Sequence, residues 1–135
     1  MTPRNYPAWL RRRRRGAADR VTMEEFAIAM AMADADGIRA LLDAEVMLVI
    51  DGGGLVPTPT SPVAGSDAAT RELLRLMSPE TSVTMASINS VPGFVLVRDD
   101  LVVGAVTADM RAGAMSAIWV ICNPEKLRHW NRGGA

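Results

Sequence analysis

Residues 82–122, SVTMASINSVPGFVLVRDDLVVGAVTADMRAGAMSAIWVIC, decide the fold. Short runs rich in β-branched and apolar residues alternate there with turn residues, a pattern that predicts strands rather than helices. The strands fall at Ser82–Val91, Gly93–Arg98, Leu101–Asp109 and Met115–Cys122, with tight turns at Asp99-Asp100 and Arg111-Ala112-Gly113. Val83/Met85 and Val103/Ala105/Thr107 alternate with their neighbours, so the strands present two different faces. Asn123-Pro124 ends the sheet because proline supplies no ladder donor, and Glu125 to Trp130 can form a terminal helical turn.

Upstream, the period changes. Thr22-Met23-Glu24-Glu25 reads as a capping box, followed by an apolar stripe of Met23, Phe26, Ala27, Met30 and Ala31. Asp36 is the expected cap of a second, shorter helix with Ile38, Leu41 and Leu42 inside. Glu45–Asp51 is too short and β-branched for a helix and is read as a strand. A long loop follows from Gly52 to Gly65, holding Pro57, Pro59 and Pro62. Ser66 then caps a third helix whose inner face is Ala69, Leu73, Leu76 and Met77. This order predicts an α+β cone: a curved antiparallel sheet wrapped around the N-terminal helices, with an open mouth.

At 135 residues, 49% apolar and 22% charged, the chain has the size and composition of one globular domain. No apolar run reaches the roughly 20 residues needed to span a bilayer. No apolar signal region follows the first basic residues, so the expected compartment is the cytoplasm. One cysteine, Cys122, and one histidine, His129, are too few for a disulfide, a zinc site or a Ser-His-Asp triad, so no metal or cofactor is expected. The zero net charge hides an asymmetry: residues 1–20 carry seven arginines against one aspartate, net +6, and the rest of the chain is net −6. Residues 1–20 are therefore read as a flexible basic arm, 21–131 as the domain and 132–135 as a tail. The run Arg11, Arg12, Arg13, Arg14 and Arg15 could contact nucleic-acid phosphates. With only Tyr6 and Trp9 as aromatic neighbours, a solvated arm is the simpler reading.

Two short motifs carry a resemblance. Asp51-Gly52-Gly53-Gly54 after the first strand and Asn123-Pro124-Glu125-Lys126-Leu127 after the last resemble those of the SnoaL-like extension found in certain extracytoplasmic-function sigma factors. That extension has a nuclear-transport-factor-2-like fold, and the resemblance covers about residues 21–131. The family motif continues with lysine where this chain has Leu55, and it usually has aspartate where this chain has Glu125. The resemblance implies that Asp51 to Gly54 and Asn123 to Leu127 form a protein-contact surface facing sigma factor or RNA polymerase. Such cones often pair through the outer face of the sheet, so a homodimer is also expected. The 20 residues before Val21 are too few for the two sigma regions. The leading expectation is thus a stand-alone, non-enzymatic regulatory or binding domain acting in transcription.

The cone mouth is the alternative site, suited to a small apolar ligand. Its candidate liners are Met47, Val49, Met85, Phe94, Val103, Trp119 and Ile121, residues that equally describe a filled core. An isomerase- or cyclase-like enzyme there would need a carboxylate base and an oxyanion donor. Asp51 or Asp109 could supply the base, with only Thr84 or Thr107 as a hydroxyl partner, since Tyr6 lies in the arm.

Overall fold

A computed structural model describes residues 16–54, 59 and 61–132. The arginine run with Tyr6 and Trp9, Leu55, and residues 133–135 lie outside the described residues. The elements run α1 (Arg20–Ala31), α2 (Ala35–Leu41), β1 (Leu42–Asp51), β2 (Val63–Ala64), α3 (Ser66–Arg75), β3 (Ser82–Ile88), β4 (Val91–Arg98), β5 (Leu101–Arg111), β6 (Ala114–Ile121) and α4 (Pro124–Arg132). The fold is the expected α+β cone, a curved sheet in the order β2-β1-β6-β5-β4-β3 with helices packed on it.

Strands β3 to β6 form an antiparallel meander. Its three connections are two-residue turns whose central residues all have positive φ: Asn89 and Ser90, Asp99 and Asp100, Ala112 and Gly113. Turns of this hand match the twist of the flanking strands. The remaining seam is parallel: β1 lies beside β6, with Leu48 opposite Ile118 and Asp51 opposite Ile121. The chain leaves β1, crosses through α3 and enters the meander at its far edge, so β6 returns beside β1 in the same direction.

The inner face of the sheet carries Val46, Leu48 and Ile50, Phe94 and Leu96, Val106, Ile118 and Val120. Met23, Phe26 and Met30 of α1, Ile38 of α2 and Leu73 of α3 fill the space above them. Phe26 meets Phe94 edge to face, with ring centroids 5.2 Å apart at 82°. On the opposite face, Leu127 of α4 is buried with Ile88, Val95 and Ala105. A separate patch there joins Ala117 and Trp119 to Val49 and Ile121. α4 thus covers part of the outer face through which pairing of two cones is expected.

Several local boundaries move. The cap of α1 is Asp19, whose carboxylate accepts the Thr22 N–H at 2.8 Å, so Thr22 lies within the first turn. Asp19 is held in place because Ala17 bridges to Asp109 and the Ala18 N–H bonds the Ala108 carbonyl at 2.9 Å. Ala18 is 1% exposed. Residues 17–20 therefore belong to the folded unit, although the sequence reading placed them in the arm. α2 is capped by Asp34, not Asp36, through the Gly37 N–H at 3.0 Å. Asp36 instead pairs with Arg39. α3 begins at Ser66 without a side-chain cap, and Gly65 precedes it at φ 97°.

Candidate functional site

The parallel seam brings together two motifs that lie far apart in sequence. At the end of β1 the Asp51 carbonyl accepts the Cys122 N–H at 2.7 Å, which sets the two strand ends side by side. Asp51 Oδ1 accepts the Gly53 N–H at 3.0 Å and closes the glycine turn, where Gly53 and Gly54 have φ 66° and 77°. Across the seam, Asn123 opens α4. Its Oδ1 accepts the Glu125 N–H at 3.0 Å and its carbonyl accepts from Lys126 and Leu127. Pro124 occupies the first helical position, where a missing N–H costs nothing.

Lys126 then reaches back to the Asp51 carboxylate in an ion pair whose side chains are both about a quarter exposed. A Cβ on Gly53 would overlap the Asn123 side chain, so glycine is required both by its positive φ and by this close approach. The two motifs thus make one intramolecular clasp. Gly53, Gly54, Pro124 and Glu125 are its exposed part, while Gly52 is buried. Leu127, expected in the contact surface, is 2% exposed and belongs to the outer-face core. Amphipathic spacing along α4 turns it toward the sheet.

A cavity of about 560 Å³ opens beside the clasp. Its walls are Arg75 and Leu76 at the end of α3, Leu96 and Arg98 of β4, and Leu101, Val102 and Val103 of β5. Cys122 and, from α4, Pro124, Leu127, Arg128 and Asn131 close it. Asn131 pins α4 there, accepting the Val102 N–H at 2.7 Å and donating to its carbonyl. Of the seven liners expected from sequence, only Val103 faces this cavity. Phe94 is fully buried under α1. Val49, Trp119 and Ile121 sit on the outer face, and Met47 shares their alternation along β1. Met85 borders a separate hollow of about 360 Å³ with Arg20, Ala86, Ser87 and Pro92. The expected liners come from both faces of the sheet, and on the inner face the side chains of α1 fill the base of the cone.

The carboxylates considered as bases do not line the cavity. Asp51 is held by Lys126. Asp109 is 3% exposed within β5, on the face opposite Val106 and Ala108, beside the Ala17 bridge. Thr107 is likewise buried, and Thr84 is exposed on β3. The structure brings none of these together at the mouth. Among the described residues no cluster of three metal-ligating side chains occurs, and no helix is long and apolar enough to cross a membrane.

Arg98, absent from the sequence-based site, is half-buried at the cavity wall. Its Nε donates to Thr81 Oγ1 at 3.0 Å and its Nη2 to the Leu76 carbonyl at 3.3 Å. The only signal for it in the sequence is a charge closing the apolar strand FVLVR. Cys122 lies nearby with its thiol pKa pushed up to about 11, mainly by burial and then by the Asp51 charge, with Arg98 opposing. A neutral, shielded thiol reacts slowly. Alkylation of native Cys122 by iodoacetamide at pH 8 is expected to run roughly 100-fold slower than in the urea-unfolded chain. Comparable rates would mean the wall around Cys122 opens freely.

No family model matches the chain, and no curated protein matches its sequence. Solved structures do. An NTF-2 like protein of unknown function from Burkholderia xenovorans superposes with a TM-score of 0.59 at 10% identity, over 77% of this chain and 81% of that one. A candidate ketosteroid isomerase from Kribbella flavida gives 0.57 at 14% identity, over 76% and 75%. The fold is therefore that of the NTF2-like cones. The extracytoplasmic function sigma factor SigJ of Mycobacterium tuberculosis is similar with a TM-score of 0.64 at 26% identity, over 82% of this chain. The chain spans 44% of SigJ's length, less than half of that protein.

Proposed function

We propose that this chain is a regulatory binding module of transcription that contacts a sigma factor or RNA polymerase through the exposed rim of the clasp. The observation that carries the reading is the joining of two motifs, known together from sigma-factor extensions, into one surface by the Asp51–Lys126 pair. The likeness to SigJ over 82% of the chain supports the same direction. An isomerase-like reading draws on the Kribbella flavida likeness and the cavity. It is weaker because no aspartate, glutamate, histidine or tyrosine is among the described residues lining that cavity.

The test must spare the clasp itself. Gly53 and Lys126 hold the fold of the surface, whereas Glu125 is exposed and a Cβ on Gly54 meets nothing within 4 Å. Gly54→Asn keeps a residue type that tolerates positive φ. The double variant Gly54→Asn/Glu125→Arg is expected to fold normally and to bind purified sigma factor or polymerase at least 5-fold more weakly than the wild type. Failure of the wild type to bind either one, or unchanged affinity in the variant, would overturn the reading.

A further inference from the structure

We infer that the cavity beside the clasp is a binding site for a small apolar carboxylate, with Arg98 as the group that receives the anion. This does not rest on the transcription reading, because it follows from the composition and geometry of the cavity alone.

The cavity combines two properties. Leu76, Leu96, Val103 and Leu127 give it apolar walls, and its volume of about 560 Å³ is within the range that holds small organic ligands. Among the described residues, its charged lining is entirely cationic: Arg75, Arg98 and Arg128. The two outer arginines are each ion-paired, Arg75 with Glu72 at 3.9 Å and Arg128 with Glu125 at 3.5 Å. Arg98 has no carboxylate within 4.0 Å among the described residues. Asp51, the acid whose charge reaches Cys122 in the same wall, is neutralised by Lys126. Asp99 and Asp100 are exposed in the hairpin turn and do not form part of the wall.

A guanidinium partly removed from water and left without a counter-charge favours an anion at that place. Here it is also fixed in orientation. Thr81 Oγ1 takes the Nε–H and the Leu76 carbonyl takes one N–H of Nη2, which leaves Nη1 and the second N–H of Nη2 for a ligand. Those two nitrogens form the end of the arginine fork, whose spacing suits the two oxygens of a carboxylate. Thr81 is itself held by Ser78 through a hydroxyl contact of 2.9 Å, so the fork is braced from behind. A neutral hydrocarbon would desolvate Arg98 without compensation, and a cation would be repelled by it. A ring or chain ending in one carboxylate satisfies both the walls and the charge.

The probe is 2-naphthoate, compared with 2-naphthalenemethanol, which keeps the rings and lacks the charge. Calorimetry gives the affinities, and amide shifts in a ¹⁵N-labelled sample locate the ligand. The carboxylate is expected to bind at least 10-fold more tightly than the alcohol, with shifts centred on Leu96, Val103 and Cys122. Arg98→Met should abolish that preference and Arg98→Lys should retain part of it. Because Arg98 also ties α3 to β4, Leu101→Glu is a second variant. Leu101 is 51% exposed at the cavity edge, and a carboxylate there should weaken naphthoate at least 5-fold while leaving the alcohol within 2-fold. Equal affinities for the two probes, shifts centred elsewhere, absence of binding, or an unaltered preference in Leu101→Glu and Arg98→Met would each overturn the inference.

Discussion

Phe94→Ala is expected to lower the unfolding free energy by about 3–5 kcal/mol, the range for removing a fully enclosed phenylalanine. Phe94 is 0% exposed and stands in β4 between Met85 of β3 and Val106 of β5. Its ring meets that of Phe26 at 5.2 Å, linking the sheet to α1. Truncation leaves a void bounded on one side by a sheet and on the other by a helix whose neighbours Met23 and Met30 are themselves fully buried. Neither side can collapse inward without breaking its own packing. Small domains have total stabilities of roughly 5–15 kcal/mol, so this one ring accounts for a large share. Urea unfolding followed by circular dichroism gives the value. A loss below about 1 kcal/mol would mean that the methionines repack and that the Phe26–Phe94 contact is not what joins helix to sheet.

The opposite error, adding an atom, has nearly as large an effect one residue earlier. A Cβ on Gly93 would lie 2.5 Å from the Val106 carbonyl oxygen and 2.8 Å from Ile88 Cδ1. The first obstacle is backbone of the neighbouring strand, so it moves only if β4 and β5 separate. Gly93→Ala is expected to cost about 2–3 kcal/mol, at the upper end for overpacking. Gly104→Ala supplies the control. The three atoms nearest its Cβ all belong to the Leu96 side chain, the closest being the terminal Cδ1 at 3.0 Å, which can turn aside. The control should cost less than about 1 kcal/mol. Equal losses at the two positions would show that glycine's backbone freedom, rather than the close strand approach, decides both.

Most of the meander was legible in the sequence because its strands are short, apolar and bounded by turn residues. The first turn, expected after Val91, falls instead at Asn89-Ser90 and β4 begins at Val91, a shift that Pro92 in the strand obscured. Asp99 and Asp100 turn the chain with positive φ where expected, as do Ala112 and Gly113. The start of α1 was not legible. Thr22 has the better local motif, but Asp19 is placed because Ala18 and Ala17 before it bond to Ala108 and Asp109, some 90 residues away. Helix capping is decided locally only when nothing distant anchors the chain. The parallel seam was hidden for the same reason, since nothing within β1 specifies which strand it joins.

The site was legible as motifs and not as geometry. The glycine turn and the Asn-Pro turn could be named, but that they lock to each other depends on the register of Asp51 against Ile121. The cavity was the least accessible feature. Its walls come from strand ends, the last turn of α3 and one side of α4. Alternation along a strand separates two faces, yet it does not say how far along either face the helices fill the space.

The parallel seam also bears on how the chain reaches this structure. Each hairpin of the meander closes across two residues, whereas β1 and β6 meet only after roughly 70 residues have been gathered in, a closure about 3 kcal/mol more costly in chain entropy. During synthesis β1 leaves the ribosome well before the strand it pairs with. Its segment EVMLVI is meanwhile an unpaired apolar edge of the kind that recruits other chains. Lys126 arrives five residues after β6 ends and grips Asp51 at the tip of β1. The same pair that shapes the surface is therefore also a latch on the seam whose strands lie furthest apart along the chain.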